Sequence, residues 1–463
     1  MPITRRSFLS ISAALLPEPS QSASRRPNVL FIPVDDLNRG LHCFGNPQVK
    51  TPHIDELAKH SVRFTNAFSN YASCLPSRIS FLSGWYPERT GVITFTPKPR
   101  DRQLKDVVYL PQHFRNSGYT TARLDKVFHI GGDEPSCWDI SEEPIKDAQG
   151  KNKVVYTPGE IEAQGLQSHV LKQGGFPKTG GEHGTYAVVD SDEHDLIDGL
   201  NVRRASQLME QFAKQDKPFF LACGLRRPHL PRVLPKKYFD MYPPERIELT
   251  GRPPNYDAAT WATEADRRQM VAHYYASTTF MDARVGDLLA TLDRLHLRDN
   301  TIIVFFGDNG YALGQRDNHY GKGTLGELSY AVPLMVSIPG MKRKGEACGK
   351  VVELLDVYPT LVDLCGLPKP ASKLQGRSLR PLIDNSSAQW EERSIGATGT
   401  TDYQRPALTV RTARYRYSED ENRKPVELFD YTTDSLEWHN LVDDPKFAEV
   451  RKQHAALLGQ DRT

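Results

Sequence analysis

Two short apolar runs, each closed by acidic residues, constrain the fold of this chain most. Asn28-Val29-Leu30-Phe31-Ile32-Pro33-Val34 is followed at once by Asp35-Asp36, and Thr301-Ile302-Ile303-Val304-Phe305-Phe306 by Gly307-Asp308-Asn309-Gly310. Runs this short, rich in β-branched and aromatic residues and without polar alternation, are the pattern of strands buried on both faces. Pro33 cannot donate to a ladder, so it belongs near the strand's end or at a bulge. Adjacent carboxylates repel one another unless a cation holds both ionised, and open sheets place their ligands at the carboxyl ends of strands. Without a metal, Asp35-Asp36 reads as a helix cap and Asp308-Asn309-Gly310 as a β-turn.

Pro218-Phe219-Phe220-Leu221-Ala222-Cys223-Gly224 is a third such run, and Val332-Pro333-Leu334-Met335-Val336 a fourth. Helical spacing covers Asp198 to Phe212 and Ala276 to Leu295, where Met281, Val285, Leu288, Leu289 and Leu292 share one side. Leu110 to Tyr119 reads as a helix closed by Gly118. Buried strands alternating with amphipathic helices indicate an α/β domain with a mostly parallel sheet. The 463 residues suggest two to four domains at roughly 100–200 residues each. A formal net charge of +2 is nearly neutral for this length and makes no case for nucleic acid, so partners must be argued from sites.

The most chemically suggestive stretch is Ser73-Cys74-Leu75-Pro76-Ser77-Arg78-Ile79-Ser80-Phe81-Leu82-Ser83-Gly84. A cysteine acts as nucleophile or metal ligand only as thiolate, which needs its pKa lowered by a cation or a helix N-terminus. Pro76 suits the first turn of a helix, which places Cys74 just before a helix N-terminus, a natural anion site. Arg78, one turn on, presents a fork of donors to an oxyanion. Taken alone, a single cysteine is more often a small buried hydrophobe.

Cys74-Leu75-Pro76-Ser77-Arg78 followed by Leu82-Ser83-Gly84 resembles the signature of type I sulfatases, Cys-x-Pro-Ser-Arg then Leu-Thr-Gly, with Ser83 in place of Thr. The wording around Asp35-Asp36-Leu37 and Asn66-Ala67-Phe68 is especially similar to iduronate-2-sulfatases. The resemblance covers nearly all of the chain from Asn28 and implies the alkaline-phosphatase-like sulfatase fold, with a small antiparallel C-terminal subdomain. It implies that Cys74 is oxidised to formylglycine by a formylglycine-generating enzyme, and that the hydrated aldehyde attacks sulfur. By the same resemblance Asp35, Asp36, Asp308, Asn309 and residue 74 hold a metal. An all-oxygen shell of that kind suits Ca²⁺ or Mg²⁺ rather than zinc, and Ca²⁺ is the usual sulfatase choice.

Asp125-Lys126-Val127-Phe128-His129 matches the iduronate-type spelling Gly-Lys-Val-Phe-His except at Asp125, a departure that bears on the backbone of that loop. The resemblance gives Lys126 and Lys322 to the sulfate oxygens. It gives His129 the release of sulfate and His229 the protonation of the leaving alcohol. The implied reaction is hydrolysis of a sulfated carbohydrate, with a 2-sulfated uronic acid first among candidates. His319 is a candidate sugar or supporting contact, and Arg226, Arg227 and Arg232 read either as facing an anionic sugar or as a solvated face.

Thr4-Arg5-Arg6-Ser7-Phe8-Leu9-Ser10, a short apolar run and a Pro/Ser-rich spacer look like a twin-arginine export signal, which predicts a periplasmic or extracellular protein. No later run approaches the ~20 apolar residues of a membrane span, so no stable membrane insertion is expected. Six cysteines less Cys74 leave an odd number without CxxC spacing, which argues against a disulfide framework or a zinc site. The expected organisation is an export signal and spacer over 1–26, a catalytic domain over 27–384 and a smaller unit over 385–463. Gly132 to Thr185 shows no sustained period and reads as a surface excursion forming a substrate-selective rim. Two rival classes are a phosphate or phosphonate ester hydrolase of the same superfamily, and a non-catalytic calcium-binding relative with Cys74 unmodified.

Overall fold

β1 (Asn28–Val34) lies inside an eight-stranded sheet because both of its faces are apolar. Val29 and Phe31 pack on one side with Phe220, Val304 and Phe306, while Leu30, Ile32 and Val34 pack on the other with Leu221, Ile303 and Phe305. The period-2 alternation thus feeds two cores rather than one core and solvent. The computed structural model describes residues 26–93, 104–129, 132, 134–143, 145–146, 152–153, 169–175, 185–254, 262–316, 318–399 and 405–459. The proposed export signal, apart from residue 26, lies outside them.

Along the chain, β1 is followed by α1 (Pro52–Lys59), β2 (Val62–Phe68), α2 (Cys74–Ser83), α3 (Leu110–Asn116), β3 (Thr120–Leu124), β4 (Ile140–Glu142) and α4 (Ile197–Phe212). Then come β5 (Phe219–Cys223), α5 (Glu264–Arg294), β6 (Thr301–Gly307), β7 (Ala331–Ser337), β8 (Ala347–Glu353) and α6 (Val357–Leu364). The strand order is β8-β2-β7-β6-β1-β5-β3-β4. Every neighbouring pair is parallel except those made by β7, which runs antiparallel to both β6 and β2. Pro33 occupies the next-to-last place of β1, in register with Phe306.

Two expectations change. The helix placed at Ala276–Leu295 begins twelve residues earlier, at Glu264, where the Thr263 hydroxyl caps it by accepting from Asp266 N–H. Its first turns carry Arg267, Arg268 and Gln269 beside the buried Met270, Val271 and Tyr274, so the apolar stripe is interrupted there. The excursion after Gly132 is not structureless. It supplies β4 to the edge of the main sheet, and His169–Gly175 pairs with Thr185–Asp190. Much of the suggested substrate rim, including 154–168 and 176–184, lies outside the described residues.

α1 docks on α5 through Asp282, whose carboxylate accepts Ile54 N–H at 2.7 Å and His53 N–H at 3.3 Å. Burial pushes this carboxyl up to about 7 despite those donors. The folded state therefore binds its proton more tightly than the unfolded chain. The resulting stability is fully present below about pH 4 and is lost as pH rises through about 7, a change on the order of 2–4 kcal/mol. Asp282→Asn keeps one acceptor and removes the titration. Thermal melts from pH 4.5 to 8.5 should show a flatter profile for Asp282→Asn, and an unchanged slope would refute this assignment.

The C-terminal unit is an antiparallel sheet, β9 (Arg393–Thr398), β10 (Ala407–Thr412), β11 (Tyr415–Glu419) and β12 (Pro425–Asp430), closed by α7 (Ala448–Gly459). It also reaches into the larger sheet's loops. Ala397 in β9 exchanges backbone hydrogen bonds with Asn70 and Ala72, just before α2. The loop 314–326 is held by Trp438 Nε1 on Gln315 O at 3.1 Å, Thr398 Oγ1 on Gly323 O at 3.0 Å and Arg416 Nη1 on Leu325 O at 2.8 Å. Arg316 of that loop and Arg416 of β11 share the carboxylates of Glu427 and Glu437.

Candidate active site

β1 and β6 pair in register to their last residues, Val34 beside Gly307, so Asp35-Asp36 and Asp308-Asn309 leave the sheet side by side. Asp36 turns there with φ +58°, a left-handed conformation uncommon outside glycine. Two hydrogen bonds fix its backbone and a third secures one of the partners. Asp36 N–H donates to Asp308 Oδ1 at 3.0 Å, Tyr274 of α5 donates its hydroxyl to Asp36 O at 2.7 Å, and the same hydroxyl accepts Asn38 N–H at 2.8 Å. A constrained backbone held by its neighbours is characteristic of functional sites.

Into this corner α2 delivers Cys74 as its first residue, with Ser73 extended before it. Cys74 Sγ lies 3.2 Å from Asp35 Oδ1, 3.7 Å from Asp36 Oδ1 and 2.8 Å from Lys322 Nζ. Lys322 Nζ also pairs with Asp36, and Lys126 Nζ with Asp35. Arg78, fully buried one turn into α2, gives Nε to Asp308 Oδ2 at 2.8 Å, Nη2 to the neighbourhood of Asp35 Oδ1 at 3.4 Å, and Nη1 to the carbonyls of Lys126 and Val127. His229 Nε2 is 3.7 Å from Asp36 Oδ2, while its Nδ1 meets Leu230 O. The carboxylates Asp35, Asp36 and Asp308 thus face Arg78, Lys126 and Lys322.

These charges set the protonation states. Burial alone would raise Asp35, but Lys126, His229, Arg78 and Lys322 together hold it well below the usual carboxylate range. Asp36 is lowered in the same way, burial being outweighed chiefly by Lys322. Asp308 goes up to about 6, because burial exceeds the pull of Arg78. Lys126 is raised, Asp35 overcoming burial. His229 falls to about 4 through burial and the nearby Lys126. The site does not lower the Cys74 thiol, as a thiolate nucleophile would require. Burial, then Asp308 and Asp35, push the Cys74 thiol well above its ordinary value, and the helix N-terminus and two ammoniums do not reverse it.

Asp35, Asp36, Cys74 and His229 each bring a ligand-type atom within 4.8 Å of the others, a set that mixes hard oxygens with softer sulfur and nitrogen. The oxygens are the part that fits a hard divalent cation. Asp36 Oδ2 and Asn309 Oδ1 are buried oxygens that accept no hydrogen bond among the described residues, an expensive condition that a cation relieves. Asp308 sits differently from its neighbours. Its Oδ1 already accepts Asp36 and Asn309 N–H and its Oδ2 accepts Arg78, so its carboxylate is committed to organising the corner as well as facing it.

Of the residues expected at the site, Asp35, Asp36, Cys74, Arg78, Lys126, His229, Lys322, Asp308 and Asn309 converge. His129 ends the Lys126 loop half-buried, its carbonyl accepting Gly132 N–H at 2.9 Å. His319 sets its Nε2 3.0 Å from Lys322 O, in the loop that carries Lys322. Arg226, Arg227 and Arg232 do not form a solvated face, being 4%, 7% and 2% exposed. Tyr274, Asp125 and Arg226 were not expected to act together around the site. Asp125 carried a signal by standing in place of a glycine and Arg226 by its place in an arginine-rich stretch, whereas Tyr274 carried none. None of the six cysteines is in a disulfide, and no helix among the described residues is long and apolar enough to cross a membrane.

This arrangement defines an ester-hydrolase corner built for an anionic substrate, and the comparisons with known proteins agree. The Sulfatase family model matches residues 27–367, and the model for the N-sulphoglucosamine sulphohydrolase C-terminal region matches 316–463. The chain belongs to the sulfatase family and is a sulfuric ester hydrolase. It is 31% identical to iduronate 2-sulfatase of Mus musculus over 94% of this chain and 93% of that one. It is 29% identical to a sulfatase of Formosa agariphila over 94% and 86%. Among solved structures, the phosphonate monoester hydrolase of Agrobacterium radiobacter superposes with a TM-score of 0.77 at 22% identity, covering 94% of this chain and 95% of that one. The alkaline-phosphatase-like sulfatase fold read from the sequence is the fold observed, with a C-terminal antiparallel sheet.

Proposed function

We propose that this protein removes sulfate from a sulfated carbohydrate, with a 2-sulfated uronic acid first among candidates, using a formylglycine made from Cys74 by a formylglycine-generating enzyme. The observation that carries the modification is the position of residue 74, at the start of α2 where two ammoniums and a guanidinium converge. Burial pushes its unmodified thiol up, which makes the thiol itself a poor nucleophile. Formylglycine would supply a hydrated aldehyde hydroxyl as the nucleophile toward sulfur, and Ca²⁺, which Asp35, Asp36, Asp308, Asn309 and residue 74 would hold, would supply positive charge there.

The chain's own residues do the rest. Lys126 and Lys322 neutralise the sulfuryl oxygens, and preorganised donors of this kind are worth roughly 2.7–4 kcal/mol each in the transition state. Arg78 keeps Asp35 and Asp308 in place around residue 74. His229 gives a proton to the departing alcohol oxygen. Its imidazole is neutral beside Lys126, and an anionic ester in the site raises its affinity for that proton. His129 assists release of sulfate. Overall, water is consumed, the sulfur–oxygen bond to the leaving alcohol breaks, and sulfate and a free hydroxyl result. Similarity to iduronate 2-sulfatase over nearly the full chain supports the uronic acid, and Arg5-Arg6 supports export.

The test is the peptide mass across Cys74 in protein from its own host, where a loss of about 18 Da marks the aldehyde. Alongside it, an aryl sulfate should be turned over at least about 10²-fold faster than the matching aryl phosphate. An unmodified thiol in fully active protein would remove the nucleophile proposed here. Equal or greater phosphatase turnover would favour the phosphate or phosphonate ester reading.

A further inference from the structure

Lys126 and His229 stand on two different loops, the first after β3 and the second after β5, and these loops touch. Gly224 N–H donates to Leu124 O at 3.0 Å, and a Cβ on Gly224 would lie 2.5 Å from Lys126 O. The backbones are in contact, but neither loop belongs to a regular element that would fix its side chains. What joins them is a buried ion pair. Arg226 gives Nε to Asp125 Oδ2 at 2.7 Å and Nη2 to Asp125 Oδ1 at 2.6 Å, a two-point fork between residues 101 positions apart.

The pair is braced on each side. Asp125 adopts φ +54° and is 1% exposed. Asn201 of α4 donates to Asp125 Oδ2 at 2.9 Å and Gly224 O at 3.3 Å, touching both loops. Asp198 of α4 accepts Arg226 N–H at 2.8 Å and Arg227 N–H at 3.0 Å, which pins the start of the His229 turn. His229 N–H then closes that turn on Arg226 O at 2.8 Å. On the other side, Arg123 Nη1 binds Asp125 O at 2.7 Å and Glu143 Oε1 at 2.8 Å. Asp125 is the neighbour of Lys126, and Arg226 lies three residues before His229. A shift at this joint therefore moves the sulfuryl-binding ammonium relative to the proton-donating imidazole.

We propose that Asp125 and Arg226 are positioning residues, a clasp that holds the Lys126 loop and the His229 loop at the separation at which His229 can protonate the leaving oxygen. The proposal rests on the role given above to His229. Asp125 stands where the similar sulfatase wording has glycine, so the clasp is a feature of this chain rather than of that wording. Glycine would meet the φ requirement alone, whereas the carboxylate adds the fork. Glu143 provides a reserve partner. Its Oε2 is 3.8 Å from Arg226 Nη2, and burial together with the Asp125 charge pushes its carboxyl up to about 8. If Asp125 loses its charge, Glu143 ionises more readily and takes over part of the pairing, so Glu143 is best neutralised in the same variant.

The experiment uses the mature enzyme and substituted phenyl sulfates of differing leaving-group pKa. His229→Ala serves as the reference, compared with Asp125→Gly, Asp125→Asn/Glu143→Gln and Arg226→Lys. General-acid assistance matters most for poor leaving groups, so His229→Ala should lose about 10²–10⁴-fold on phenyl sulfate and far less on 4-nitrophenyl sulfate. The clasp variants should show the same asymmetry in smaller measure, about 10-fold against about 2-fold in kcat, with KM little changed. Arg226→Lys, which keeps the charge and loses the fork, should fall between them and the parent. Melting temperature is read in parallel. The amide variant keeps the volume and the left-handed tolerance of the original residue, should Asp125→Gly fold poorly. Losses equal on both esters, or no loss, while His229→Ala discriminates, would overturn the clasp. A His229→Ala enzyme that treats the esters alike would instead remove the role of His229, and the clasp with it.

Discussion

Cys74→Ala is expected to lose at least about 10³-fold of sulfate-ester turnover while melting within a few degrees of the parent. The two effects separate because Cys74 contributes little to packing. Its Sγ contacts are polar ones, to Asp35, Asp36 and Lys322, and α2 is held to the core by Leu75, Ile79, Phe81 and Leu82. Removing one sulfur from such a position costs on the order of 1 kcal/mol. Steady-state kinetics on 4-nitrophenyl sulfate with a parallel melt checks the prediction. Activity within tenfold of the parent would mean that residue 74 is not the nucleophile.

Arg78→Met should be costly in a different way, destabilising the protein by about 3–5 kcal/mol as well as abolishing turnover. Arg78 is 0% exposed, and its guanidinium ties α2 to Asp308 after β6, Asp35 after β1 and the carbonyls of the Lys126 loop. Methionine fills much of the volume but leaves buried carboxylates short of a cation. Arg78→Lys keeps the charge without the fork and should recover less than half of the loss. Denaturant midpoints for the three proteins measure this. A shift under about 1 kcal/mol for Arg78→Met would show that neighbouring lysines or a bound cation already satisfy those carboxylates.

The two predictions differ because the site has two layers. In the proposed reaction residue 74 and the ammoniums face the ester, and their loss is expected to be read in rate. Arg78, Tyr274 and Asp308 organise the corner from behind, and their loss is read in stability as well. The C-terminal sheet belongs to the second layer, since Ala397 fixes the approach to α2 and Thr398, Arg416 and Trp438 fix the loop that presents Lys322. The active corner is therefore assembled by two sheets.

Much of this was legible in the chain. The apolar runs at Asn28–Val34 and Thr301–Phe306 can satisfy their backbone and bury both faces only inside a covered sheet, so β1, β6 and the carboxylates at their ends follow from local composition. The order Cys74-x-Pro76-Ser77-Arg78 likewise places a cysteine at the start of a helix with Arg78 one turn on, because helical geometry is local. Other features needed the tertiary structure. β7 is as apolar as the parallel strands β1 and β6, yet it runs antiparallel to both of its neighbours, β6 and β2, which composition does not reveal. The direction of the Cys74 shift could not be read from helix position, because burial and two carboxylates from distant strands outweigh the helix terminus. Asp125 looked like a departure from a glycine pattern, and its partner Arg226 like a contact to an anionic sugar or part of a solvated face, until the fold brought them to 2.6 Å. Backbone periodicity and capping act over a few residues and can be read along the chain. Protonation states and ion pairs depend on which distant charges share a buried volume, and only the folded arrangement decides that.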